Sequence, residues 1–477
     1  MTVRTRFAPS PTGYMHIGNL RTALYEYLIA KADADGTFIL RIEDTDQKRY
    51  VEGATDIIYA TLKRVGMNWD EGPDIGGAYG PYVQSERKPL YAEYAHKLVE
   101  LGGAHYCFCS KQDVDEEKDE EQNIKFEDPC KRLSLDEAKK RVAAGEPYVI
   151  RQTISKKGKS KYHDEVYGDI EIDYDELDEG VLLKSDGFPT YNFANVVDDH
   201  LMNITHVVRG NEYISSTPKY NLIYESFGWT PPHYVHVPPV MKDAQHKLSK
   251  RNGDASFQDL VAKGYLPEAI INYIALLGWN PGNDEEIFTL DELKKIFTVE
   301  RLNRSPAIFD IVKLTWMNGQ YIRKLSDEEF AALAMPYIEK VLSRKVDVAT
   351  LCKVLQLRIE TLGDIPGQID FLENVPEYAN DLYINKKMKT DVDIAKQTLA
   401  YALEALEKTN EWTNDNLFAV LKGVAEEKGI KNGQIMYPVR IALSGKETTP
   451  GGATELAVIL GKDESLKRLG DALKKLG

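Results

Sequence analysis

A short strand, a proline-bearing loop, an amphipathic helix and a second strand follow one another directly at the start of this chain. That order restricts its fold more than any other feature. Residues 3–7, VRTRF, are short and partly alternating, and they lead into APSPTG. From Asn19 to Asp35 the apolar residues Leu20, Ala23, Leu24, Tyr27, Leu28 and Ala32 share one helical face. Gly36 is placed to stop the helix, and TFILRI then reads as a buried strand. Such a unit opens a doubly wound, Rossmann-like parallel α/β domain. Helical patterns recur near Gly53–Gly66 and Lys88–Leu101.

The character then changes. Residues 111–128 are strongly acidic and poor in apolar side chains, as expected of a solvated part of an insertion. PYVIRQTI, EVYGDIEI and GVLLKS, within 147–185, read as strands of a small mixed sheet. The α/β pattern returns near Asp186, so the insertion splits the first domain. PEAIINYIALLGW and LDELKKIF have helical spacing, and from Ser326 to Gly477 the spacing is helical almost throughout. The expected fold is therefore multidomain α/β. It has a catalytic domain formed by 1–100 and 186–256, an α+β insertion over 101–185, a linking domain over 257–325 and an all-helical region over 326–477.

Composition limits the function classes. The chain has 477 residues and a formal net charge of -15, which argues against indiscriminate nucleic-acid binding and leaves a selective RNA partner open. No run of ~20 apolar residues predicts a membrane helix, and MTVRTRFAPS has no secretory pattern. Four cysteines are too few for a disulfide scaffold of this size, so a reducing, cytoplasmic setting is expected.

Two segments carry chemistry. In FAPSPTGYMHIGN (7–19), His16 and Gly18 fall at the start of the first helix. Unpaired backbone N–H groups there favour phosphate, and glycine permits close approach. The same residues also suit a plain turn and helix cap. In HKLSKRNGD (246–254), Lys247, Ser249, Lys250 and Arg251 form a basic polar loop able to hold phosphates, or simply a solvated turn.

Taken together, His16-Ile17-Gly18-Asn19 and Lys247-Leu248-Ser249-Lys250-Arg251 resemble the HIGH and KMSKS signatures of the class I aminoacyl-tRNA synthetases, with Asn19 in place of the last histidine. LRIEDTD, GPYVQSER, DGFPTYNFANVVDDHLM, VVRGNEY and FDIVKLTWMNGQYIR resemble the glutamyl branch in order and along essentially the whole chain. The resemblance implies ATP-dependent activation of L-glutamate and its transfer to the terminal adenosine of tRNA-Glu, with tRNA-Gln left open as a second substrate. ATP, Mg²⁺, L-glutamate and tRNA-Glu are the implied ligands; no membrane partner is expected, and a monomer is the default.

By the same resemblance, Arg6, Ala8, Ser10, Glu43, Tyr191 and Arg209 line the glutamate pocket. His16, Gly18, Glu212, Lys247 and Lys250 meet ATP, and Ser249 belongs to the catalytic loop. Two arginines suit a substrate with two carboxylates. The insertion is implied to bind the tRNA acceptor end, residues 257–325 to contact the stem, and the helical region to bind the anticodon, with Arg358 as a base reader. Cys107, Cys109 and Cys130 resemble a zinc site whose usual fourth position, at Arg132 or Phe126, offers no ligand. Glutaminyl relatives carry a β-barrel anticodon region, which the helical spacing disfavours. A catalytically dead RNA-binding regulator would need a broken nucleotide site, whereas both signatures are intact.

Overall fold

The computed structural model describes residues 2–46, 48–110, 128–248 and 256–477. It divides into two compact units, one of residues 1–259 and 270–310, the other of 260–269 and 311–477. Residues 257–325 are thus divided between the two.

The first unit begins with β1 (Arg4–Phe7), α1 (Ile17–Ala32), β2 (Thr37–Leu40), α2 (Ala54–Arg64) and α3 (Lys88–Glu100). The inserted stretch holds β3 (Ala104–Cys107), α4 (Leu135–Ala143), β4 (Val149–Gln152), β5 (Lys159–Asp164), β6 (Gly168–Asp173) and β7 (Val181–Leu183). Then come α5 (Tyr191–Leu201), β8 (His206–Gly210), α6 (Thr217–Phe227), β9 (His233–Val237), β10 (Val240–Met241), α7 (Phe257–Ala262), α8 (Pro267–Ala275), α9 (Leu290–Ile296) and β11 (Ala307–Ile308).

β1 and β2 run parallel around α1, with Arg6 opposite Ile39. β8 and β9 run parallel around α6, with Arg209 opposite His236. The backbone N–H of Thr205 donates to the Arg4 carbonyl at 2.9 Å, joining the approach to β8 to β1. These βαβ units put the ends of β1 and β8 beside one another, where ligands bind in open parallel sheets. Gly36 is not the helix cap expected of it. The helix ends at Ala32, and a Cβ on Gly36 would lie 1.8 Å from the Ala30 carbonyl oxygen, so a close turn back to β2 requires glycine.

The insertion is not one mixed sheet. β3, β4 and β7 form an antiparallel sheet, while β5 and β6 form a hairpin whose Asp164 pairs in parallel with Tyr234 of β9. KSKYHD (159–164) is polar enough to hide its strand from pattern reading. Tyr106, Ile150 and Leu183 of the insertion share a core with Tyr91, Phe193 and Tyr224. The inserted segment is therefore built into the α/β unit rather than hung from it.

The second unit contains α10 (Ile311–Lys324), α11 (Asp327–Ile338), α12 (Val348–Gln356), α13 (Ile365–Glu373), α14 (Val392–Glu407), α15 (Asn414–Glu427), α16 (Asn432–Ser444), α17 (Ala453–Leu460) and α18 (Lys462–Leu476). Phe330, Leu355, Ile369, Leu399, Leu421, Ile441, Leu456 and Leu469 sit in one continuous core. Ser326 and Glu329 form a capping box that starts α11. No helix among the described residues is long and apolar enough to cross a membrane.

Candidate active site

A cavity of about 1130 Å³ opens at the ends of β1 and β8. Arg6, Ala8, Ser10, Glu43, Tyr191, Arg209 and Glu212 all line it, so residues more than 200 positions apart in the sequence meet at one place. His16 and Gly18 stand at the start of α1, whose following residues Asn19 and Thr22 line the same cavity. The Gly18 N–H donates to His16 Nδ1 at 3.0 Å, which caps the helix. Because that nitrogen accepts, the ring proton is on Nε2.

Of the second signature, Lys247 and Leu248 are described, and both are tied to β10. The Leu248 N–H donates to the Val240 carbonyl at 3.1 Å, and Lys247, which is exposed, pairs with Met241. Beyond the loop, Ser256 pairs antiparallel with His16, and the Phe257 N–H donates to the Met15 carbonyl at 3.0 Å. Ser249, Lys250 and Arg251 lie outside the described residues.

Arg209 is the electrostatic centre of the cavity wall. It is only 5% exposed. Its Nε donates to His236 Nε2 at 3.1 Å and its Nη2 to Thr217 Oγ1 at 2.8 Å. The rings of Tyr220, Tyr234 and Tyr213 surround the guanidinium, with centroids 4.7, 5.2 and 5.4 Å from it. No carboxylate among the described residues forms an ion pair with it. A buried guanidinium without an anion is costly, and its open edge at a cavity asks for one from a ligand.

Arg6 differs. Its Nε and Nη2 fork onto Asp199 at 2.9 and 3.2 Å, and its Nη1 donates to Glu26 at 3.0 Å. Asp199 also accepts from Arg41 at 2.8 Å, and Arg41 donates to Glu43 at 3.0 Å. Asp198 accepts from Arg87 at 2.7 Å, Gln84 at 2.9 Å and Tyr91 at 2.7 Å. Asp198 is thus a buried scaffold residue, and Asp44 accepts from the Ser85 N–H at 2.8 Å.

Burial pushes the Glu26 carboxyl well above its ordinary range, more than Arg6 pulls it down. Burial likewise raises Glu43, against Arg41 and Arg6. For Asp199 burial acts upward too, but Arg6 and Arg41 together hold it below its usual value. Tyr191, raised well above a normal phenol by burial and then by Glu43, keeps its proton and packs 5.3 Å from Tyr213.

Sequence reasoning missed Glu26, Asp199, His236 and Asp164, whereas Arg41 was open to it as a partner of Glu43. One signal was available. Arg41 interrupts an otherwise apolar strand run, and a charge there has to be paired.

Residues 2–316 match the family described as tRNA synthetases class I (E and Q), catalytic domain, and residues 329–473 match an anticodon binding domain family. This chain is 58% identical to a glutamate–tRNA ligase of Clostridium kluyveri, over 99% of its own length and 98% of that protein. The chain belongs to the class I synthetases of the glutamyl and glutaminyl type.

A glutamate–tRNA ligase of Clostridium botulinum is 57% identical to this synthetase, again over 99% and 98% of the two chains. A crystal structure of a glutamate tRNA ligase from Elizabethkingia meningosepticum, in complex with its amino acid, superposes with a TM-score of 0.89 at 33% identity, covering 100% of both chains. A glutamate-tRNA synthetase from Elizabethkingia anophelis gives 0.87 at 33% identity, covering 99% of this chain and 100% of that one.

Two further sets of residues singled out in the sequence of this synthetase are not among those lining the cavity. In the inserted stretch, Cys107, Cys109 and Cys130 come together with Asp128, all four ligand atoms within 4.8 Å of one another. Sequence spacing offers no fourth ligand, and Asp128, two residues before Cys130, completes a group able to hold a metal ion. It is held by His105 at 3.0 Å, the outer-shell contact typical of metal ligands. Burial raises the Cys107 thiol strongly and brings Cys109 to about 11, so without a metal both keep their protons. In the helical unit Arg358 lies just beyond α12, exposed, beside Leu357, which is 70% exposed.

Proposed function

We infer that this chain is a glutamate–tRNA ligase, as its full-length relatives are named. The observation that carries this reading is Arg209, a buried cation facing a cavity with no carboxylate among the described residues in an ion pair with it. An amino acid with a carboxylate side chain supplies the missing partner, and a carboxamide does not.

Arg209, Tyr191 and Ser10 bind glutamate, with Arg6 and Ala8 behind it and Glu43 toward its ammonium. The substrate α-carboxylate attacks the α-phosphorus of ATP, forming glutamyl-adenylate and releasing pyrophosphate. His16 Nε2–H donates to a phosphoryl oxygen as negative charge builds there. Gly18 lets the nucleotide approach the start of α1, and Glu212 meets the ribose. Lys247, with Ser249 and Lys250 of the same loop, holds the leaving phosphates, so most of the rate comes from positioning and charge stabilisation. Mg²⁺ bound with ATP supplies further neutralisation of the phosphates. The 2′-hydroxyl of the terminal adenosine then attacks the adenylate carbonyl, losing its proton as the acyl–phosphate bond breaks, and AMP leaves the glutamyl ester behind.

The helical unit binds the anticodon, with Arg358 reading a base, and tRNA-Glu is the partner. Zinc fits the Cys107, Cys109, Cys130 and Asp128 set, whose three sulfurs and one oxygen match a closed structural site. Free thiols throughout agree with a cytoplasmic enzyme.

Pyrophosphate exchange, run with tRNA and either glutamate, glutamine or neither, tests the assignment. Exchange with glutamate alone is expected, and exchange with glutamine alone overturns it. Arg209→Ala removes charge-assisted hydrogen bonds worth ~1.5–3 kcal/mol, so the glutamate KM rises by a factor on the order of 10–100.

A further inference from the structure

Arg209 is aimed by a chain of groups that reaches into the inserted hairpin. Asp164, at the end of β5, is fully buried. Its Oδ1 accepts from the Val166 and Tyr167 N–H groups at 3.0 and 2.8 Å, and its Oδ2 from the His236 N–H at 3.1 Å. The same Oδ2 lies 2.6 Å from His236 Nδ1. An oxygen surrounded by donors takes Nδ1 as another donor, so the proton of the imidazole sits there and Nε2 presents a lone pair. That lone pair receives Arg209 Nε–H at 3.1 Å. His236, too, is fully buried, on β9 opposite Arg209.

We propose that Asp164 and His236 are positioning residues for glutamate binding, Asp164 fixing the tautomer of His236 and His236 aiming the guanidinium of Arg209 at the substrate carboxylate. The relay explains how a cation can be rigidly placed without being neutralised. An acid in direct contact with Arg209 would compete with the substrate, whereas a neutral imidazole orients the fork and leaves its charge available. Asp164 supplies the negative end one residue further back. The proposal rests on the reading of the cavity as a glutamate pocket.

The groups facing His236 are Asp164 from β5, Arg209 from β8, Glu212 from the turn that follows and Thr217 at the start of α6, with Tyr234 stacked beside it on β9. Burial holds the imidazole below its ordinary value, with Arg209 adding to this and Asp164 opposing it. It is therefore neutral at neutral pH. Once protonated, Nε2 loses its lone pair and sets one cation against another, so glutamate binding weakens on the acid side.

The test uses the full chain with tRNA and follows glutamate and ATP KM values and kcat against pH. His236→Leu should raise the glutamate KM on the order of 10–100-fold, the range for outer-shell partners, with a much smaller change in the ATP KM. His236→Gln keeps one donor and one acceptor without a titrating charge. It should recover most of the loss and lack the acid-side rise in glutamate KM. Should His236→Leu fail to fold, Asp164→Asn reports the same glutamate-selective loss. Equal losses for ATP and glutamate, an unmoved glutamate KM, or a wild-type acid limb in His236→Gln would overturn the relay. A normal glutamate KM in Arg209→Ala would instead refute the pocket itself.

Discussion

Asp199 is the residue on which the pocket wall depends most. It bonds Arg6 and Arg41 at once, and both arginines are buried. Replacing it by asparagine leaves two buried cations short of a counter-charge, which costs ~3–5 kcal/mol, the scale for one partner lost from a buried pair. Chemical denaturation of Asp199→Asn against the parent protein should show the loss in the first transition. The sign with pH follows. Because the arginines hold the Asp199 carboxyl below its unfolded value, its contribution is present above ~pH 4 and disappears as pH falls through the lowered native value. Variant and parent should therefore converge in acid. At this scale the sequence was legible where motifs are long. Arg6, Arg209, Glu43 and Tyr191 were found and meet in one cavity. The burial of both arginines, however, is not legible in the sequence around them. Glu26 and His236 escaped because a charged residue in a helix or strand shows its burial only once its partners, far along the chain, are known.

Among elements, the inserted strands departed most from their pattern. β5 carries alternating charge and looks like a loop, yet it joins β9 and delivers Asp164 to His236. Pattern reading fails there because the hairpin has one solvated face and a partner strand some 70 residues away. In the cysteine cluster the three sulfurs that the spacing points to do come together, and Asp128 joins them from a position outside that spacing. Elemental analysis of the purified chain should find one zinc per molecule. Cys130→Ser or Asp128→Asn should lose most of it and lower thermal stability, because an ion held there would tie the end of β3 to the turn at Cys130. Purified protein free of zinc that melts like the metal-loaded form would exclude the site.

Taken whole, the molecule is acidic yet has an RNA partner. Its net charge of -15 means that tRNA binding rests on local cations, each releasing counterions from phosphate. The KM for tRNA should accordingly climb steeply between low and physiological salt, by ~10-fold or more, while the glutamate KM changes little. Parallel changes in both would contradict a binding surface separate from the pocket. Arg358→Gln should alter the preference between tRNA-Glu and tRNA-Gln without changing the KM for ATP, as measured by charging each purified tRNA. The division into an α/β part and a helical part was clear from hydrophobic period alone, since the two repeats differ. The finer boundaries were not, because α7 and α8 each straddle the border between the two compact units.

Behind the cavity, Arg6, Arg41 and Arg87 are buried in pairs with carboxylates, and this gives its support an unusual response to heat. Water holds ions less strongly as temperature rises, so the penalty for keeping Arg6, Arg41, Arg87 and their carboxylates dry diminishes on warming. A greasy pocket of the same shape has no such reserve. The fit for the amino acid should consequently survive close to the melting point of the protein and falter first in the cold.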